Sequence, residues 1–138
     1  MNQDTSKSIF AGIIGTGTMT ISMLMAPNNG MREMTLWKIL SVGMGVSVVV
    51  AWFLHFLIGI LFALGYNCAF APNFDIQSTW LKGATFGIAA VGLSLIGMKI
   101  IGEIFDIPRL EGSMPMRLTA MLIGHVVFGV VMAKTMEE

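Results

Sequence analysis

The chain has two histidines, His55 and His125, and each is followed four residues later by a glycine, Gly59 or Gly129. Each histidine lies inside a long uncharged apolar run and is therefore expected deep in a bilayer. Ionisable side chains are costly there and usually face a bundle interior or a ligand. Because neutral imidazole is a good ligand for haem iron and for copper, we take both histidines as candidate metal or cofactor ligands.

One hypothesis makes the two histidines the axial ligands of a single b-type haem. A residue four positions along a helix lies one turn away on the same face, so Gly59 and Gly129 would leave space beside each ring for a flat macrocycle. Together with Ala51 and Met121 they would line a common cavity in the bundle core. The alternative is that each histidine hydrogen-bonds a carbonyl or hydroxyl on a neighbouring helix while the glycine serves close packing.

The methionines support a second cofactor hypothesis. The chain has 13 of them, with Met19 and Met23 one turn apart and Met114 and Met116 close together. Thioethers combined with imidazole suit Cu(I). Methionine is also an ordinary gap filler of apolar cores, so copper ranks below haem b.

The composition is that of a membrane protein. Of 138 residues, 55% are hydrophobic and only 12% are charged, and the formal net charge is zero. No basic patch suggests nucleic-acid binding, and the single cysteine, Cys68, excludes an intramolecular disulfide. Because the carboxylates fall at predicted helix ends or in loops and no nucleophile has an adjacent base motif, we expect no enzymatic activity.

Four apolar segments predict four transmembrane helices, at residues 9–26, 39–66, 83–98 and 118–133. Residues 67–79 read as a loop, and residues 99–116 as a polar connection with a short amphipathic interfacial helix. The predicted fold is therefore an all-α bundle of four transmembrane helices, a single integral membrane domain over residues 1–138.

Small residues recur at helical spacing on two of these segments. Gly12, Thr16 and Thr20 share a face of the first, and Gly83 and Gly87 share a face of the third. Such faces let membrane helices approach closely. Because they exceed what one pair of helix contacts needs, we expect contacts with other membrane subunits or with a second copy of this chain.

The two halves of the chain also match one another. An offset of 70 or 71 residues pairs Gly12 with Gly83 and His55 with His125, which predicts two tandem helix-pair repeats, approximately residues 1–70 and 71–138. Repeats of like orientation would place both histidines at the same depth. The alternative is a chance match between glycine-rich helices.

A family resemblance rests on three motifs: a glycine-rich first helix ending in Met-Ala-Pro, the stretch Trp-Phe-Leu-His-Phe in the second, and Gly-His-x-x-Phe-Gly in the last. Over nearly its whole length the chain resembles small four-helix bacterial membrane proteins of unknown function. The resemblance implies the cytoplasmic (inner) membrane and transfers no catalytic residue. Five basic residues on one side against three on the other then favour termini outside the cytoplasm.

From these features we expect an accessory or structural subunit of a larger membrane assembly, such as a respiratory or redox complex, in contact with the lipid bilayer. The first alternative is a haem b electron-transfer protein that uses His55 and His125. A further alternative is a small oligomeric carrier of copper or another solute.

Overall fold

In the computed structural model, the described residues are 3–25, 36–106 and 114–138. This part of the chain is helical, without β-strands, and its elements are α1 (Gln3–Met25), α2 (Leu36–Met44), α3 (Val48–Gly65), a π-helical turn (Tyr66–Phe70), α4 (Ala71–Asn73), α5 (Thr79–Phe105) and α6 (Met114–Glu137).

Four helical segments are long and apolar enough to cross a membrane: Asp4–Met25, Val48–Asn73, Thr79–Ile104 and Met114–Glu137. At 22 to 26 residues each, they exceed the roughly 20 residues that span the hydrocarbon core. The predicted all-α fold with four candidate spans is therefore confirmed, while the predicted repeat stays a prediction.

The helices extend further than the uncharged runs that predicted them. The first begins at Gln3 and not at residue 9, and α5 covers Thr79–Phe105 in place of residues 83–98. A helix can continue into the polar interface, where long basic side chains such as Lys82 and Lys99 of α5 can keep their charge in water while their apolar stems stay in lipid. The predicted loop at residues 67–79 is likewise mostly helical, through the π-helical turn and α4.

The predicted second helix, residues 39–66, is broken into α2 and α3. Gly45 ends α2 with a φ of +65°, a left-handed conformation that glycine adopts without a steric penalty. Ser47 then caps α3 by accepting a hydrogen bond from the Val50 amide. This break was not predicted, because residues 39–66 form an uninterrupted uncharged run.

The predicted interfacial helix between residues 99 and 116 does not form as a separate element up to residue 105. Residues 99–105 continue α5, which ends where Asp106 takes a left-handed conformation with φ of 50°. Residues 107–113 lie outside the described part of the chain.

The helices pack in the order α3, α1, α6, α5. Helix α1 contacts α3 on one side and α6 on the other, and α6 packs along α5. Helix α2 lies against α3 and also touches α5. Among the described residues, α3 and α5 have no extensive helix contact, so a cleft separates them.

Candidate functional site

Glycines set the helix spacing around the two histidines. A Cβ on Gly12 would lie 2.8 Å from Cα of Ile60 on α3, and a Cβ on Gly83 would lie 2.5 Å from the Gly129 carbonyl oxygen on α6. These distances are too short for any larger residue, so the backbones of α1 and α3, and those of α5 and α6, are in direct contact.

The space predicted beside each histidine is filled by protein. A Cβ on Gly59 would overlap the hydroxyl of Thr16, and one on Gly129 would overlap the Gly83 carbonyl. The prediction that Gly59 and Gly129 hold open a groove for a macrocycle is therefore not what the structure shows. Gly59 does border the cavity described below, whereas Gly129 serves close packing with α5.

His55 lies on α3 and is only 3% exposed. Its Nε2 lies 3.1 Å from Oγ1 of Thr20 on α1. That hydroxyl donates its one hydrogen to the Thr16 carbonyl oxygen, 2.8 Å away. Both hydrogen bonds form together only when Thr20 accepts from His55, and we therefore assign the Nε2–H tautomer to this ring.

His125 lies on α6 and takes the opposite tautomer. Its Nδ1 lies 2.8 Å from the Met121 carbonyl oxygen, which can only accept, so Nδ1 carries the hydrogen. Its Nε2 then accepts from the hydroxyl of Ser94 on α5, at 2.8 Å. Each histidine thus hydrogen-bonds a hydroxyl on a neighbouring helix, which agrees with the alternative to haem ligation raised from the sequence.

Both histidines lie near the same turn of α1. A Cβ on Gly124, the residue before His125, would lie 3.4 Å from Cε of Met19. The next residue of α1 is Thr20, the hydrogen-bond partner of His55. One turn of α1 therefore contacts the surroundings of both rings.

The two imidazoles border one cavity of about 340 Å³. Its wall is almost wholly apolar, and Arg117 is the single charged residue among those that line it. The lining includes five methionines: Met19, Met23, Met98, Met114 and Met121. The cavity occupies the cleft between α3 and α5, with α1, α6 and Leu40 of α2 completing the wall.

Aromatic rings close the cleft at one end. Phe86 of α5 lies in edge contact with Phe62, Tyr66 and Phe70, with centroid distances of 5.1 to 6.5 Å. Because Phe62 also lines the cavity, this cluster forms its floor. The cluster joins α3 to α5, which elsewhere are separated.

Haem ligation by both histidines would require rearrangement. The Nε2 of each ring is hydrogen-bonded to a hydroxyl, and Nδ1 of His125 is bonded to a carbonyl. Iron would have to displace Ser94 from Nε2 of His125, whose carbonyl bond at Nδ1 is one that metal-bound histidines commonly make. It would have to displace Thr20 only if it used Nε2 of His55. Haem b stays a prediction.

The donor atoms around the cavity are soft. Two imidazoles and five thioethers suit Cu(I), and the described residues contain no group of three or more His, Cys, Asp and Glu that could hold a metal. Copper likewise stays a prediction.

Thr20 and Ser94 are the site residues that sequence reasoning missed. Thr20 and Ser94 were recognised only as members of small-residue faces, and neither was paired with a histidine. A buried histidine needs a hydrogen-bond partner, and Ser and Thr hydroxyls within the membrane spans are the nearest candidates. This requirement could have pointed to Thr20 and Ser94 from the sequence. Pairing them with particular histidines required the packing order of the helices.

Comparison with known proteins identifies the family. Residues 2–138 match a family of unknown function, DUF6789. No curated protein and no solved structure matches the chain significantly. Since the match covers almost every residue, the chain belongs to this family of unknown function.

Proposed function

We propose that the protein is a small accessory membrane protein that binds an apolar molecule in the cavity between α3 and α5. The observation that carries this proposal is the cavity itself, about 340 Å³ with a nearly apolar wall. Protein interiors rarely contain voids larger than a water molecule, and small-molecule sites typically have about 300 to 1,000 Å³.

The packing supports a binding role. Where helices must touch, the chain uses glycine to bring them into backbone contact, as at Gly12 and Gly83. Between α3 and α5 it instead leaves a cleft that is bridged at one end by Phe86. An apolar molecule dissolved in the bilayer can reach such a cleft from the side without crossing water.

Filling the cavity should abolish binding. A Cβ on Gly97, which lines the cavity, meets no atom within 4 Å, so Gly97→Phe adds bulk at the cavity wall at a position where the Cβ itself displaces no neighbour. Gly92→Phe on the same helix is the matched control, since its Cβ also meets nothing and Gly92 does not line the cavity. We expect saturable binding of a brominated apolar probe in the wild type and in Gly92→Phe, and its loss in Gly97→Phe.

The readout is tryptophan quenching. Trp37 and Trp52 have ring centroids 6.1 and 6.4 Å from His55, so a bound bromine would quench them. Trp80 is 59% exposed and would respond to unbound probe, so the measurement uses a Trp80→Phe background. Quenching that never saturates, or that is equal in the two glycine variants, would show that the cavity is not a binding site.

Haem b binding is a second candidate, because both histidines border one cavity at one level of α1. Haem would supply one-electron transfer, and His55 and His125 would hold it. The absorbance spectrum of protein expressed with ample haem decides: a Soret band lost in both histidine-to-alanine variants supports this candidate.

We also propose that the protein spans a bacterial inner membrane with both termini and Cys68 outside the cytoplasm. The charge bias of the loops supports it, and Cys68 is exposed. We expect an impermeant maleimide to label Cys68 in intact cells, with Cys68→Ser as the unlabelled control. Labelling only after lysis would reverse the orientation.

A further inference from the structure

The hydrogen bonds of His55 leave one ring nitrogen without a protein partner. Its Nε2 donates to Thr20, and no other hydrogen bond joins His55 to the described residues. Because Nε2 carries the hydrogen of the neutral ring, Nδ1 is a bare acceptor. The residue is only 3% exposed yet borders the cavity.

A buried acceptor without a donor is unfavourable, and native proteins rarely leave one unpaired. Among the described residues, every fully buried side-chain nitrogen or oxygen has a hydrogen-bond partner. Because Nδ1 of His55 has no partner, this atom must keep some accessible surface. The cavity is the space that His55 borders. A ligand in the cavity can therefore supply the missing hydrogen.

We propose that the bound molecule is an apolar chain with an alcohol or phenol hydroxyl, which donates its hydrogen bond to Nδ1 of His55. This inference rests on the proposed binding function and adds the chemical class of the ligand. The nearly apolar wall takes the chain. The hydroxyl takes the one polar position on the α3 side of the cavity.

Other head groups fit this position less well. Ethers, esters and quinone carbonyls only accept hydrogen bonds and would place a lone pair against the lone pair of Nδ1. Moving the hydrogen of the His55 ring from Nε2 to Nδ1 would cost a hydrogen bond, because the Thr20 hydroxyl already donates its hydrogen to the Thr16 carbonyl oxygen. An ammonium can donate, but a charge would be costly in a wall this apolar.

The test compares two brominated probes that differ only in the donor. One is an alcohol with a chain of about ten carbons, sized for a small-molecule cavity, and the other is its methyl ether. Binding is measured by quenching of Trp37 and Trp52 in the Trp80→Phe protein. We expect the alcohol to bind about fivefold to tenfold more tightly than the ether, the range that one net hydrogen bond supplies.

Two variants locate the preference. His55→Phe keeps a ring against Trp37 and Trp52 but removes Nδ1, so it should bind both probes with the affinity of the ether. Thr20→Val removes the acceptor that fixes the tautomer and should reduce the preference while binding persists. Because the two variants alter different helices, misfolding of one leaves the other to decide.

The outcomes separate the two proposals. Saturable binding of both probes with equal affinity in the wild type would overturn the hydroxyl assignment and leave the proposed function standing. An undiminished preference in His55→Phe would also overturn it. Absence of saturable binding by either probe would sink the proposed function itself.

Discussion

Gly87→Leu should separate α5 from α6 and unfold the site. A Cβ on Gly87 would overlap the His125 carbonyl oxygen and lie 2.8 Å from Cα of Val126. Both obstacles are backbone, which cannot move aside as a flexible side chain can. Overpacking usually costs about 1 to 3 kcal/mol, and a leucine against backbone belongs at or above the upper end.

The measurement is the midpoint of unfolding in mixed micelles as the denaturing detergent is increased. Gly92→Leu on the same helix is the control, since its Cβ meets no atom within 4 Å. We expect Gly92→Leu to match the wild type and Gly87→Leu to unfold at much lower detergent. Equal midpoints for the two variants would mean that α5 and α6 do not make this contact.

The four spans could be predicted from the sequence because an uncharged apolar run of bilayer length rarely occurs outside a membrane helix. Their ends were placed poorly, since uncharged runs mark the hydrocarbon core while the helices continue into the interface. The break at Gly45 could not be read from the sequence. Glycine is common in membrane helices, and its positive φ depends on how α2 folds back onto α3.

The small-residue faces make close helix contacts within the chain. Gly12 packs on α3, and Gly83 and Gly87 pack on α6, so these glycines make contacts within the chain. These faces therefore no longer support the expectation of partner subunits. That expectation stays a prediction, which cross-linking in native membranes can test. A stripe of small residues predicts that another helix approaches closely, but it does not identify that helix.

The histidines were singled out because two ionisable residues within apolar runs are rare. The residues that surround them could be identified only from the packing of the helices. Five methionines that looked scattered along the sequence line one cavity with both rings, because α1, α5 and α6 each contribute one side. The hydroxyl partners and the opposite tautomers follow from the same packing.

Phe86→Ala should weaken the closed end of the cavity and, with it, the whole bundle. Phe86 is 5% exposed and is the ring of α5 that contacts Phe62, Tyr66 and Phe70. In a soluble core the loss of such a ring costs about 3 to 5 kcal/mol. Within a bilayer lipid tails replace water as the solvent, so only the packing part is lost, and we expect about 2 kcal/mol.

The matched control is Phe53→Ala, since Phe53 is 76% exposed on α3 and faces outward from the bundle. The same detergent titration should show a large shift for Phe86→Ala and little change for Phe53→Ala. The apolar probe should also bind Phe86→Ala more weakly, because Phe62 loses the ring that supports it at the cavity floor. If the two phenylalanine variants unfold alike, the aromatic cluster does not join α3 to α5, and the cleft has no closed end.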